Sequence, residues 1–236
     1  MIGNTFPDAD ALAQAAASWF ARTLAASEGR VAVALSGGST PRRLYELLGR
    51  MPLREVVPWE RVHLFWGDER FVPGSDPRSN QRMVRDALLD HVPIPPGNVH
   101  ALPTEGMTAE QAADEYATAL RQFYGAEALD PARPLFEIVL LGLGTNGHTA
   151  SLFPGEASLD ERGRWAAAVA PPGEPARVTL TYPPLESTRH AAFLVAGAEK
   201  HAMLERLRAG DEGIPAGRYA PKGELLLFAD RAASGE

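Results

Sequence analysis

The stretch FEIVLLGLGTNGHTASLFPG, Phe136 to Gly155, drives an apolar run into a glycine-rich turn that carries one histidine. From Phe136 to Leu141 every residue except Glu137 is apolar, the pattern of a strand covered on both faces, as in a parallel sheet beneath helices. Gly142, Gly144 and Gly147 then let the chain fold tightly. Ligand sites in open parallel sheets lie in the crevice at such strand carboxyl ends, which makes His148 the first candidate for chemistry. Its spacing equally suits a histidine that caps or lines a loop.

The same glycines spell G-x-G-x-x-G, the fingerprint of a dinucleotide site. That site needs a crossover helix of several turns after the glycines, and Pro154 and Gly155 interrupt any helix here after about two turns. The dinucleotide reading is therefore disfavoured.

Working outward, strands alternate with helical stretches along all 236 residues, with no linker, repeat or change of composition. A single α/β domain over 1–236 is expected, its sheet mainly parallel and covered by helices on both faces. Lys and Arg number 23 against 30 Asp and Glu, a net charge of −7 that argues against a nucleic-acid or anionic-membrane binder. An anionic ligand must then be held by local donors. The first residues, MIGNTFPDAD, lack the features of a signal peptide, and no apolar run approaches the length of a membrane span, so a cytoplasmic protein is expected. The chain has no cysteine, which excludes disulfides, a thiol nucleophile and thiolate metal ligation. His63, His91, His100, His190 and His201 show no spacing that suggests a metal site.

Asp8 or Asp10 caps a first helix that carries Leu12, Ala16, Trp19, Phe20 and Leu24 on one face and ends by Gly29. Val31 to Leu35 is a strand running into Ser36-Gly37-Gly38-Ser39-Thr40, with Pro41 opening a helix. Such a turn presents N–H groups and hydroxyls at a helix's positive end, where a phosphate can bind, although an ordinary well-capped turn has the same composition. Trp59 to Trp66 reads as a strand that breaks off at Asp68-Glu69-Arg70, either a salt-bridged exposed loop or a functional cluster. Asn80 is the expected cap of the next helix, Asn98 to Leu102 a short strand, and Thr108 the cap of a helix reaching Tyr124. Strands follow at 165–170, 177–181, 190–196 and 224–229, with a helix over 198–208. Arg177 and Lys200 stand at element boundaries, where a solvated cation is as natural as a ligand.

Together LSGGSTP at 35–41, WGDERFVPGSDPRSN at 66–80, LLGLGTNGHTASLFPG at 140–155, and RVTLTYPPL at 177–185 with VAGAEK at 195–200 resemble the 6-phosphogluconolactonase family. The likeness covers most of the chain in the right order. It implies a Rossmann-like fold shared with ribose-5-phosphate isomerase and glucosamine-6-phosphate deaminase. The implied activity is hydrolysis of 6-phospho-D-glucono-1,5-lactone in the oxidative pentose phosphate pathway, without a required cofactor. The implied partner is that small phosphosugar lactone, with a monomer or weak homo-oligomer as the expected assembly.

Carried over residue by residue, the resemblance assigns catalysis to His148 and substrate contact to Arg70. The turn Ser36, Gly37, Gly38, Ser39 and Thr40 and Lys200 would hold the phosphate, with Arg177 a further candidate. The family's central motif usually reads Asp-Gly-His, whereas here it is Asn146-Gly147-His148. A carboxylate would orient the imidazole and stabilise its protonated form. Asn146 can only orient it, which leaves Asp68 or another carboxylate to supply the charge.

Two rivals are weaker. An isomerase or deaminase on the same fold would use Asp68 as a proton shuttle, but its ring-opening glutamate falls on Phe153 here. A sugar-phosphate sensor attached to a DNA-binding module would need a helix-turn-helix, and only about 30 residues precede Val31.

Overall fold

Along Val31–Leu35 the odd-numbered residues enter one hydrophobic core and Ala32 and Ala34 enter a second, because successive side chains of a strand point to opposite faces. Both faces of this strand are therefore covered, as its unbroken apolar run requires. The computed structural model describes residues 1–236. In chain order the elements are β1 (Ile2–Phe6), α1 (Ala9–Ala26), β2 (Val31–Leu35), α2 (Ser39–Leu48), α3 (Leu53–Val56), β3 (Val62–Trp66), β4 (Asp68–Arg70), α4 (Asn80–Ala87) and α5 (Ala109–Tyr124). There follow β5 (Phe136–Leu141), β6 (Ala166–Val169), β7 (Arg177–Leu180), α6 (Tyr182–Glu186), β8 (Thr188–Val195), α7 (His201–Arg208), β9 (Glu224–Asp230) and α8 (Arg231–Ser234).

Six strands form one sheet in the order β1-β9-β8-β5-β2-β3, every pair parallel. Leu12, Phe20, Leu44, Leu48 and Val84 from α1, α2 and α4 pack with Val33, Leu64, Ile138 and Leu194 on one face. Tyr116 and Leu120 of α5 and Leu204 of α7 join Phe65, Val139 and Phe193 on the other. This is the expected α/β architecture, with helices on both faces of a parallel sheet.

The second face also carries an antiparallel sheet, β4-β7-β6. This sheet corrects the reading of Asp68-Glu69-Arg70 as an exposed loop. The three residues form β4, paired with Arg177–Thr179, and Asp68 and Glu69 are buried. The Glu69 carboxylate accepts from the backbone N–H of Arg70, Asn80 and Gln81 at 2.7, 2.8 and 2.7 Å and from Ser79 Oγ at 3.1 Å. It thereby caps the amino end of α4, where an anion is stabilised.

Several boundaries also differ. Trp59–Arg61 is a 3₁₀ turn and the strand begins at Val62. Val99 makes only an isolated bridge to Leu64, so no strand spans 98–102. Ser79 caps α4, with its side chain accepting from Arg82 N–H, and frees Asn80 for other contacts. Asp8 caps α1, which stops at Ala26 before Gly29, and Thr108 with Gln111 forms a capping box on α5. β1 had no distinct signal in the sequence: four of its five residues are exposed, and only pairing with β9 defines it.

Candidate functional site

β2, β3, β5 and β8 are neighbours or near neighbours in the sheet, and each ends in a turn that opens at the same carboxyl edge. After β2 come Ser36, Gly37 and Gly38, with Gly38 as the residue before the first turn of α2. Gly67 links β3 to β4, which brings Asp68 and Arg70 inward, and Gly197 follows β8 ahead of Lys200. The turn after β5 carries His148. These segments line one cavity of about 310 Å³ together with Asn80, Gly142, Leu143, Gly144, Thr145, Ala150 and Arg177. A crevice at strand carboxyl ends is the general location of sites in such sheets.

No helix follows Gly147. The chain instead makes a turn closed by a bridge between Thr149 and Leu152, which removes the dinucleotide reading. Within the turn Gly144 N–H donates to His148 O at 2.8 Å, and Gly147 O accepts from Ala216 N–H at 2.9 Å. Gly144 has no Cβ because the imidazole of His148 fills that space. Gly147, at φ +82°, lies against Ile214.

Asn146 does not line the cavity; it holds the histidine. Asn146 Oδ1 lies 3.2 Å from the His148 backbone N and 2.6 Å from His148 Nδ1. The backbone N–H can only donate, so the facing atom is an acceptor, and Nδ1 must carry the proton that it shares with the same oxygen. Nε2 is left as the basic nitrogen. Burial pulls the His148 pKa below its ordinary value; Asp68 opposes this, Arg177 and Lys200 reinforce it, and Glu174 opposes it weakly. The imidazole is therefore neutral at neutral pH, as a general base must be.

Asp68 is held from behind, with Ser151 Oγ donating to its Oδ2 at 2.5 Å and Arg177 Nη1 4.0 Å from the same oxygen. Arg177 also pairs with Glu174 and lies over the Phe153 ring. Arg70 is fixed by donation from Nη1 to Arg78 O at 2.6 Å. Ser36 Oγ, Arg70 Nε and Arg177 Nε, on three residues that line the cavity, are buried without a protein partner.

Of the sequence-derived candidates, Ser36, Gly37, Gly38, Asp68, Arg70, His148, Arg177 and Lys200 meet in this cavity. Ser39 and Thr40 do not line it. They belong to the first turn of α2, behind the two glycines. Asn80 was missed as a cavity residue because its helix-capping signal accounted for it; its Nδ2 donates to Asp68 O at 3.1 Å.

The family model described as Glucosamine-6-phosphate isomerases/6-phosphogluconolactonase matches residues 7–227. The chain belongs to this family. A curated relative from Synechocystis sp., named 6-phosphogluconolactonase, is 44% identical over 211 residues, covering 88% of this chain and 85% of its own. A protein of the same name from Nostoc sp. is 41% identical over 213 residues, covering 89% and 85%. Among solved structures, 6-phosphogluconolactonase from Trypanosoma cruzi superposes with a TM-score of 0.86 at 29% identity, covering 100% of this chain and 96% of that one. Its backbone path is thus retained where most side chains differ. No helix of the chain is long and apolar enough to cross a membrane.

Proposed function

We propose that the chain hydrolyses 6-phospho-D-glucono-1,5-lactone to 6-phosphogluconate, with His148 as the general base. The observation that carries this reading is one cavity in which an imidazole with a free Nε2 faces a glycine turn at a helix amino end and three cations, Arg70, Arg177 and Lys200. Backbone N–H groups of Gly37 and Gly38 at the positive end of α2, with Lys200 and Arg177, hold the phosphate without bulk positive charge. This grip fixes the lactone carbon relative to the base.

His148 Nε2 takes a proton as water oxygen bonds to the lactone carbonyl carbon, and Arg70 donates to the oxyanion. Collapse of the tetrahedral intermediate breaks the bond to the ring oxygen, which takes the proton back from the imidazolium and becomes a hydroxyl. The carboxylic acid then ionises, so each turnover releases one proton to solution. The positioned base contributes on the order of 10² to 10⁴-fold and an oxyanion donor about 3 to 4 kcal/mol. The same reading takes residues 1–236 as one domain acting on a small diffusible substrate in the cytoplasm, as a monomer or weak homo-oligomer.

The test generates the lactone in situ from glucose 6-phosphate and follows acid release. Release no faster than spontaneous hydrolysis would remove the activity. His148→Ala should lower turnover by at least about 10²-fold with the fold retained, and an unchanged turnover would remove His148 from the mechanism.

A further inference from the structure

His148 and Arg177 share one neighbour that does not line the cavity. The centroid of the Phe153 ring lies 4.5 Å from that of His148, tilted by 42°, and 5.2 Å from Arg177 Cζ. Phe153 is only 8% exposed. It lies in the turn after the Thr149–Leu152 bridge, so its ring touches both the base and a cation of the cavity wall. We propose that Phe153 is a positioning residue of the lactone-hydrolysing site: its ring shields one side of the His148 imidazole from water and offers Arg177 a π face that holds the guanidinium at the cavity wall. The inference rests on the hydrolase reading above and extends it to a residue with no polar atom.

An aromatic ring can do both tasks at once. Any side chain of similar bulk excludes water, but only an aromatic face attracts a guanidinium through its quadrupole. Arg177 needs such a hold because its other contacts are uneven. It pairs with Glu174 through Nη2, but its Nη1 lies 3.5 Å from Ser151 Oγ and 4.0 Å from Asp68 Oδ2, and its Nε is unpartnered. The charged groups acting on His148 are Asp68 from β4, Glu174 in the turn before β7, Arg177 at the start of β7, and Lys200 after β8, while neutral Asn146 acts from its own turn. The carboxylates favour the imidazolium and the cations disfavour it, and burial is the largest influence. Loss of the ring would admit water to the imidazole and loosen the Arg177 cation. Both changes favour protonation, so their effects add.

Phe153→Ala and Phe153→Leu separate the two tasks. The His148 ring is titrated by NMR, its signal identified by its absence in His148→Gln, and turnover and Michaelis constant are measured on the lactone. In Phe153→Ala the His148 titration should move up toward the ordinary value near 6.5, with turnover at neutral pH falling roughly tenfold as the base loses its position. In Phe153→Leu the apolar cover remains and only the Arg177 contribution is lost, so the titration should move up by less than in Phe153→Ala while the Michaelis constant rises as Arg177 loses its π face. With circular dichroism and thermal melting confirming the folds, an Ala variant that titrates like the parent and a Leu variant with parental constants would overturn the proposal. Failure of the parent protein to hydrolyse the lactone would instead sink the hydrolase reading. The NMR titration needs no turnover and still decides the shielding.

Discussion

Asn146→Asp puts a carboxylate where an amide oxygen now lies 2.6 Å from His148 Nδ1. Opposite unit charges about 4 Å apart between centres attract by about 1 kcal/mol in water and about 4 kcal/mol in a protein-surface environment. At 1.36 kcal/mol per unit this raises the histidine pKa by about 1 to 3 units, toward the lower end because His148 is only partly buried. The sign follows from the protonation state that works. On the proposed mechanism the base acts when neutral, and burial lowers the His148 pKa in the parent protein, so the acid limb of kcat/KM should lie below the ordinary histidine value. In the variant the limb moves to higher pH. If the pKa rises one unit above the assay pH, only about a tenth of the base stays neutral, and the variant is slower at neutral pH although it carries the family's usual residue. At high pH the stronger base offsets the loss. The assay is kcat/KM against pH for both proteins in matched salt, with the fold checked by circular dichroism. An acid limb that does not move would refute electrostatic action at position 146.

Three further outcomes follow from the geometry. Gly144→Ala builds a Cβ into the space of the His148 ring, so turnover should fall by about 10²-fold through displacement of the base, and retained turnover would show that the turn can yield. In Lys200→Ala the Michaelis constant for the phosphorylated lactone should rise with turnover little changed, and a lactone lacking the phosphate should not distinguish variant from parent. Equal harm to both lactones would exclude the phosphate role. Glu69→Gln places an NH₂ among four donors that now converge on a carboxylate, which should cost about 1 to 3 kcal/mol in denaturant unfolding, and no loss would mean that β4 and α4 are not joined through this residue.

Covalent order was enough to determine the buried parallel strands and the strand-end location of the candidate site. Phe136–Leu141 and Val31–Leu35 are apolar at every turn of a two-residue period but for Glu137, and such runs are stable only when covered on both faces. The glycines that follow them, and the cap at Thr108, are local signals whose geometry depends on a few neighbouring residues. What depended on residues far apart in the chain was not legible. Glu69 looks like an exposed charge until β4 pairs with β7 and the amino end of α4 arrives eleven residues later to cap itself on the carboxylate. Asn80 gave a helix-start signal that hid its place in the cavity wall, and Ser39 and Thr40, adjacent in sequence to the lining glycines, turn away as soon as α2 begins. His148 could be named from its turn, but its free nitrogen, its neutrality and its contact with Phe153 were decided only by packing. They depend on which oxygen, ring and cations the fold brings within a few ångströms, and no spacing along the chain encodes those distances.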